Sequence, residues 1–130
     1  MSKKRALIIL FFILGIVLIF HLLIFTEQIP YDKVWAGKLN SVEEMKFFET
    51  LSILINTFMI IILFIKYKQL EKKVNNKIIN LLIWLFTAFF ALNTIGNLFA
   101  KSKAELILGT FLTLTSSILC FVIAKKEKTP

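Results

Sequence analysis

The chain has 130 residues, 58% of them hydrophobic, and a mean hydropathy of +0.81. A water-soluble domain of this length has too little interior to hide so much apolar surface, so the composition indicates a membrane protein. The formal net charge of +8 would also suit a nucleic-acid-binding protein. However, the basic residues are spread over three separate segments without interleaved aromatic side chains, so we expect no nucleic acid among the partners.

Four apolar runs follow one another along the chain, at 6–25, 47–65, 78–100 and 106–124. Each is close to the roughly 20 residues that a helix needs to cross a hydrocarbon core about 30 Å thick. Backbone groups in lipid must be satisfied within their own segment, and the period-two alternation of a barrel strand is absent. We therefore predict an all-α, four-helix transmembrane bundle. The chain is taken as one domain, 1–130, with spans of about 6–25, 47–65, 78–100 and 104–124 and an outer loop of 26–40.

Basic residues are shared unequally between the two predicted sides of the membrane. The two terminal stretches and the 66–77 connection hold eleven Lys and Arg against two acidic residues, whereas the other side holds five against six. With short loops this bias sets the orientation. We expect a multi-pass protein of the plasma (inner) membrane with both termini cytoplasmic, and an attraction of its lysines to anionic membrane lipid.

Two Ser-x-x-Glu patterns predict where helices begin on the outer side. Ser41 precedes Glu44 and Ser102 precedes Glu105 by three residues, which is the spacing of a capping box. These two glutamates therefore have a structural explanation. In the outer loop, Tyr31 and Trp35 are interpreted as interfacial anchors, with a loop that folds over the bundle as a lid being the alternative.

Polar residues within the spans are the informative minority, because a polar side chain in hydrocarbon needs a partner or a wet cavity. They are concentrated in the outer halves of the spans: His21; Glu49, Ser52 and Asn56; Asn93, Thr94 and Asn97; Thr110 and Thr113. The inner halves are predicted to be almost purely apolar, with Cys120 the nearest exception.

Spacing places these residues on shared helix faces. Glu49, Ser52 and Asn56 fall at i, i+3 and i+7, and Asn93 and Asn97 at i and i+4. Their depths predict that Glu49 meets Asn97 and that Asn56 meets Asn93. His21 lies at the depth of the upper pair. The alternative is that the amides and hydroxyls only hold the helices together, and that Glu49 and His21 lie at the headgroup level.

The fourth span carries a stripe of small residues, Gly109, Thr113, Ser116 and Cys120, which allows another helix to approach closely. We expect it to pack inside the bundle, with a homodimer interface as the alternative. The single cysteine cannot form an internal disulfide, and no paired metal-ligand spacing occurs, so we expect neither a metal nor a cofactor.

Together these features predict a polar pocket that opens to the outside and is closed below by packed apolar side chains. A pore or carrier would need polar groups along its full length or broken helices at the midplane. We therefore expect a non-enzymatic protein that binds a small ligand, a lipid headgroup or another membrane protein. Its expected contacts are Glu49 and His21 as charged groups and Asn56, Asn93 and Asn97 as hydrogen-bonding groups. The alternative is a small oligomeric transporter or channel. An enzyme with Glu49 as base and His21 as acid is less favoured, since no nucleophile accompanies them.

Some local segments also carry a resemblance. Trp35 to Leu39, Glu49 and the run 93–101 resemble features of small, uncharacterised four-span bacterial membrane proteins. The resemblance covers most of the chain from the outer end of the first span onward. It implies the four-span architecture and no particular activity.

Overall fold

The computed structural model describes residues 1–30, 39–100 and 102–126. The helices are α1 (Lys3–Phe25), α2 (Val42–Glu71) and α3 (Lys77–Asn97), followed by a π-helical segment (Glu105–Gly109) that continues directly into α4 (Thr110–Ala124). Within the described ranges, four helices are long and apolar enough to cross a membrane, the last running from Glu105 to Ala124. The all-helical prediction is thus confirmed. The loop residues Tyr31 and Trp35, predicted to be interfacial anchors, lie outside the described residues.

Each helix runs antiparallel to its neighbours around the bundle. At the end where α1 begins, the Lys4 ammonium lies 5.8 Å from the centre of the Tyr67 ring on α2. Lys3 at the same end donates a hydrogen bond to the carbonyl oxygen of Lys125, directly after α4. At the opposite end, α1 and α2 meet through His21 and Glu49. The predicted outer ends of all four helices therefore lie together.

The main apolar core fills the half of the bundle that contains the chain termini. Its buried members come from all four helices: Ala6, Leu7, Leu10, Leu14, Met59, Ile62, Leu63, Ile79, Ile83, Phe86, Phe90, Leu119, Cys120, Ile123 and Ala124. A smaller cluster at the other end joins Ile24, Leu39 and Met45, so the end of the 26–40 loop packs against α1 and α2. The large apolar core has the position predicted for the closed half of the bundle.

The outer surface of the bundle is also apolar. Large side chains such as Phe12 and Phe99 are 72% and 73% exposed. Helices that are hydrophobic on all sides are typical of membrane spans, because lipid solvates the face that does not pack against protein. The surface agrees with the composition in indicating lipid as the surrounding medium.

The serine half of both predicted capping boxes is present. Ser41 Oγ accepts a hydrogen bond from the Glu44 backbone N–H at 3.1 Å, and Ser102 Oγ accepts one from Glu105 N–H at 3.0 Å. Asn76 caps α3 at the other end, where its side chain accepts from two backbone N–H groups. The caps explain why α2 begins at Val42, five residues before its apolar run.

The observed helix ends differ from the apolar runs at two places. α2 continues to Glu71, because the residues that follow the apolar run are good helix formers and the run marks only the lipid-crossing part. α3 ends at Asn97 rather than at residue 100. There the chain tightens into i to i+3 hydrogen bonds, from Phe99 N–H to Gly96 and from Ala100 N–H to Asn97, before the next cap at Ser102.

Candidate functional site

An interhelical pair of ionisable side chains lies near the end of α1 and the start of α2. His21 Nδ1 and Glu49 Oε2 are 2.6 Å apart, and the Glu49 side chain is completely buried while His21 is 17% exposed. At this distance one proton is shared between the imidazole nitrogen and the carboxyl oxygen, so the two side chains form a direct hydrogen bond. Glu49 is held by its place on the buried face of α2, seven residues after Val42. The pair joins the two helices and keeps a carboxylate inside the protein.

A second polar cluster joins α3 and α4 at the same end of the bundle. Thr94 Oγ1 lies 2.9 Å from Thr113 Oγ1, and the side-chain amide of Asn97 donates to Thr113 Oγ1 at 3.3 Å. Thr113 Oγ1 also lies 2.7 Å from the Gly109 carbonyl oxygen, to which it donates. Because each hydroxyl has one proton and two lone pairs, the three side chains can form one continuous network.

Gly109 makes this second cluster possible. A Cβ atom at position 109 would lie 2.8 Å from Asn97 Oδ1 and 2.9 Å from Asn97 Cγ. The Asn97 amide therefore rests directly on the backbone of the π-helical segment, where only a glycine leaves room for it. π-Helical turns inside α-helices occur frequently at functional sites, and sequence periodicity did not predict this one.

Two of the predicted side-chain pairings are wrong. Asn56 is buried, but its Nδ2 donates to the Ser52 carbonyl oxygen of its own helix at 2.9 Å. The Asn93 side chain is exposed and forms no hydrogen bond in the part of the chain that the structure describes. Asn97 bonds to α4 rather than to Glu49. The buried face of α2 was predicted correctly, but the rotation of α3, which decides the partner of Asn97 and leaves Asn93 exposed, was not.

Thr110, a predicted member of the outer polar group, has a buried hydroxyl oxygen. Among the described residues, Thr110 Oγ1 has no hydrogen-bond partner although it is shielded from solvent. A buried hydroxyl without a partner costs about 1–3 kcal/mol, so such an atom is rare unless a water or a ligand meets it. Thr110 begins α4 one turn before Thr113, next to the second cluster.

The end of the bundle that was predicted to be the inner one contains a polar cluster that the sequence analysis did not predict. Lys66 is only 2% exposed, and its ammonium donates to Asn80 Oδ1 at 2.7 Å. Asn80 Nδ2 in turn donates to Asn75 Oδ1 at 2.6 Å. The prediction of an almost purely apolar inner half is therefore wrong at its rim, where α2 ends and α3 begins. A usable signal was present, because Met59, Leu63 and Lys66 share one face of α2 at i, i+4 and i+7.

The small-residue stripe of α4 packs inside the bundle, as expected. Ser116 and Cys120 are buried, and Gly109 and Thr113 contact α3 through Asn97. Directly beside the stripe, Ser117 Oγ donates to the Thr87 carbonyl oxygen of α3 at 2.9 Å. The stripe is therefore used within the chain.

No family model, curated protein or solved structure matches the chain. The resemblance to four-span bacterial membrane proteins consequently stays a prediction. Within the described ranges, no group of three or more His, Cys, Asp or Glu side chains is placed to hold a metal ion.

Proposed function

We propose that the chain is a multi-pass protein of the plasma (inner) membrane, with both termini cytoplasmic and the His21–Glu49 end facing outward. Four apolar helices with an apolar exterior support insertion in a bilayer. The bias of eleven Lys and Arg against two acidic residues at the end that holds the termini supports this orientation. Cysteines introduced at Ser2 and at Ser41 would test it. Only the residue-41 cysteine should react with an impermeant maleimide in intact cells.

The same proposal assigns a binding function to the outward-facing polar end. Two polar interhelical clusters lie at that end, one between α1 and α2 and one between α3 and α4. The single observation that carries the proposal is the completely buried Glu49 carboxylate, because an ionisable group within a span is costly and is typically retained for function. His21, Glu49, Asn56, Asn93 and Asn97 remain the proposed ligand contacts.

Thr110 and Thr113 join these contacts in the proposal. The buried Thr110 hydroxyl oxygen has no hydrogen-bond partner among the described residues, so it is available to form a hydrogen bond with a polar ligand. The proposed ligand is a small polar molecule, a lipid headgroup or a segment of another membrane protein. We propose no enzymatic role, because the sequence contains no metal-ligand set or cofactor motif, and no recognisable nucleophile motif, to accompany His21 and Glu49.

The apolar core between the two polar ends of the bundle favours a binding function over the conduction of ions or solutes. Asn56 and Lys66 are ten residues apart on α2, or about 15 Å along its axis. Between them Met59, Ile62 and Leu63 belong to the apolar core that all four helices share. A conducting path would need polar groups or water through this region.

A panel of ligands tests the binding function. Purified wild type and Glu49→Gln would be compared by thermal unfolding in detergent with glycerol 1-phosphate, phosphoethanolamine, choline and total membrane lipid. A ligand of the site should raise the unfolding temperature of the wild type and have little effect on Glu49→Gln. Glu43→Gln is the matched control, since Glu43 is exposed in the first turn of α2. A shift that all three proteins share would contradict the proposal.

The buried Lys66 favours the alternative of an oligomeric transporter, because it adds an ionisable group at the second end of the bundle. Reconstitution in liposomes separates the two functions. Ion or solute flux that is lost in Asn93→Leu would support the transporter. If liposomes that contain the wild-type protein stay impermeable to ions and solutes, the result would support a binding function alone.

A further inference from the structure

A shallow groove runs along the outside of α1 and α2, separate from the buried Glu49. It has a volume of about 410 Å³ and is lined by Phe25, Lys46, Phe47, Thr50, Leu51 and Leu54. Phe47 and Leu54 are exposed, as are the other large side chains that face outward from the bundle. Four of the six lining residues are apolar, and the two polar ones lie toward the start of α2.

Lys46 marks the upper end of this groove. Its ammonium lies 5.7 Å from the centre of the Phe25 ring, within the range of a cation–π interaction. In the part of the chain that the structure describes, Lys46 forms no ion pair with a carboxylate. No described carboxylate therefore neutralises the charge of the Lys46 ammonium, and Thr50 lines the same groove.

In length and polarity the groove matches the headgroup of one lipid molecule and the adjoining part of one acyl chain. Lys46 and Leu54 are eight residues apart, which corresponds to about 12 Å along the helix axis. One leaflet of a bilayer has about 15 Å of hydrocarbon, half of a core about 30 Å thick. A cation at one end and only apolar side chains at the other match a phosphate headgroup above an acyl chain. Long basic side chains commonly hold their charge at this level while their stems cover apolar surface.

We infer that this groove is a binding site for an anionic glycerophospholipid in the leaflet that contains the start of α2. The headgroup phosphate contacts the Lys46 ammonium and the Thr50 hydroxyl. One acyl chain lies against Phe47, Leu51 and Leu54. A single lysine favours a lipid of net charge −1, such as phosphatidylglycerol, over a zwitterionic one.

Native mass spectrometry of the full chain released from detergent micelles tests this site. The probes are phosphatidylglycerol, phosphatidylcholine with the same acyl chains, and glycerol 1-phosphate without any chain. One basic residue at a membrane surface contributes enough binding energy for a difference of about fivefold in affinity. The wild type should bind phosphatidylglycerol about that much more tightly than phosphatidylcholine, and should not retain glycerol 1-phosphate.

Three variants locate the binding. Lys46→Gln should lower phosphatidylglycerol affinity to that of phosphatidylcholine, and Leu54→Trp, which fills the groove, should weaken both lipids. Lys103→Gln is the matched control, an exposed lysine at the same end of the bundle. All three positions are exposed, so the variants should keep the wild-type helicity.

The inference is overturned by equal wild-type affinity for the two lipids, or by equal losses in Lys46→Gln and Lys103→Gln. It is also overturned if Leu54→Trp abolishes a dimer while lipid binding stays unchanged, because the groove would then hold a second copy of the chain. None of these outcomes depends on a ligand at Glu49.

Discussion

A methyl group added at Gly109 should disturb the α3–α4 cluster, whereas the same change at Gly15 should not. At position 109 the new Cβ would lie 2.8 Å from Asn97 Oδ1, and at position 15 it would meet nothing within 4 Å. The Asn97 side chain must therefore turn away in Gly109→Ala. It then loses its hydrogen bond to Thr113 Oγ1.

The expected changes in unfolding free energy follow from two opposing effects. Replacing glycine by alanine inside a helix stabilises it by about 0.8–1.0 kcal/mol, and this gain should be seen in full at Gly15. At Gly109 the lost interhelical hydrogen bond costs about 0.6–1.5 kcal/mol, so the gain is cancelled. We expect Gly15→Ala to be more stable than Gly109→Ala by about 1 kcal/mol, with the latter near the wild type.

Reversible unfolding by SDS in mixed micelles, followed by helicity, measures this difference. The decisive control is the Asn97→Ala background, where the obstructing amide is absent. There Gly109→Ala should recover most of the stabilisation seen at Gly15. If Gly109→Ala stabilises the unaltered chain as much as Gly15→Ala does, the close approach of Asn97 to the π-helical segment is refuted.

Three further changes test other contacts. His21→Leu removes a hydrogen bond to the buried Glu49 side chain and should lower the unfolding free energy by about 1.5–3 kcal/mol in the same assay. In the Glu49→Leu background the same substitution should lower it much less. This double-mutant cycle should give a non-zero coupling energy between positions 21 and 49, and a value of zero would contradict the observed hydrogen bond. Asn80→Leu removes an acceptor from the buried Lys66 ammonium and should be more destabilising than Lys66→Met, which removes the charge and keeps the shape; the reverse order would contradict the observed bond. Cys120 is completely buried in the core, so N-ethylmaleimide should label it only after denaturation in SDS; rapid labelling of the native protein would refute its packing.

The proposed site could be predicted from the sequence in part. His21 and Glu49 were identified individually, because ionisable residues stand out against apolar spans. Their bond to each other was not predicted, since depth along two helices does not say which way each helix is turned. Asn56 illustrates the same limit: it lies on the buried face as expected, yet it satisfies its amide on its own helix.

Lys66 shows a different limit of sequence reasoning. Its position after the apolar run of α2 suggested a solvated connecting segment, which is the usual place for lysine. The structure continues α2 past the apolar run to Glu71 and brings Asn80 of α3 against Lys66, so the ammonium is buried with an acceptor. Whether a charged side chain at a helix end is solvated or buried depends on the neighbouring helix, which local sequence does not encode.

The amino-acid pattern alone predicts the four helices, the serine caps at the starts of the second and fourth spans, and the polar residues near the end where His21 meets Glu49. These properties depend on hydrophobicity, local hydrogen bonding and order along one chain segment. The folded bundle adds three contacts that this pattern does not predict: His21 with Glu49, Asn97 with Gly109, and the buried Lys66 with Asn80. Such contacts depend on the rotation and close approach of separate helices, which are set by the packing of all four together.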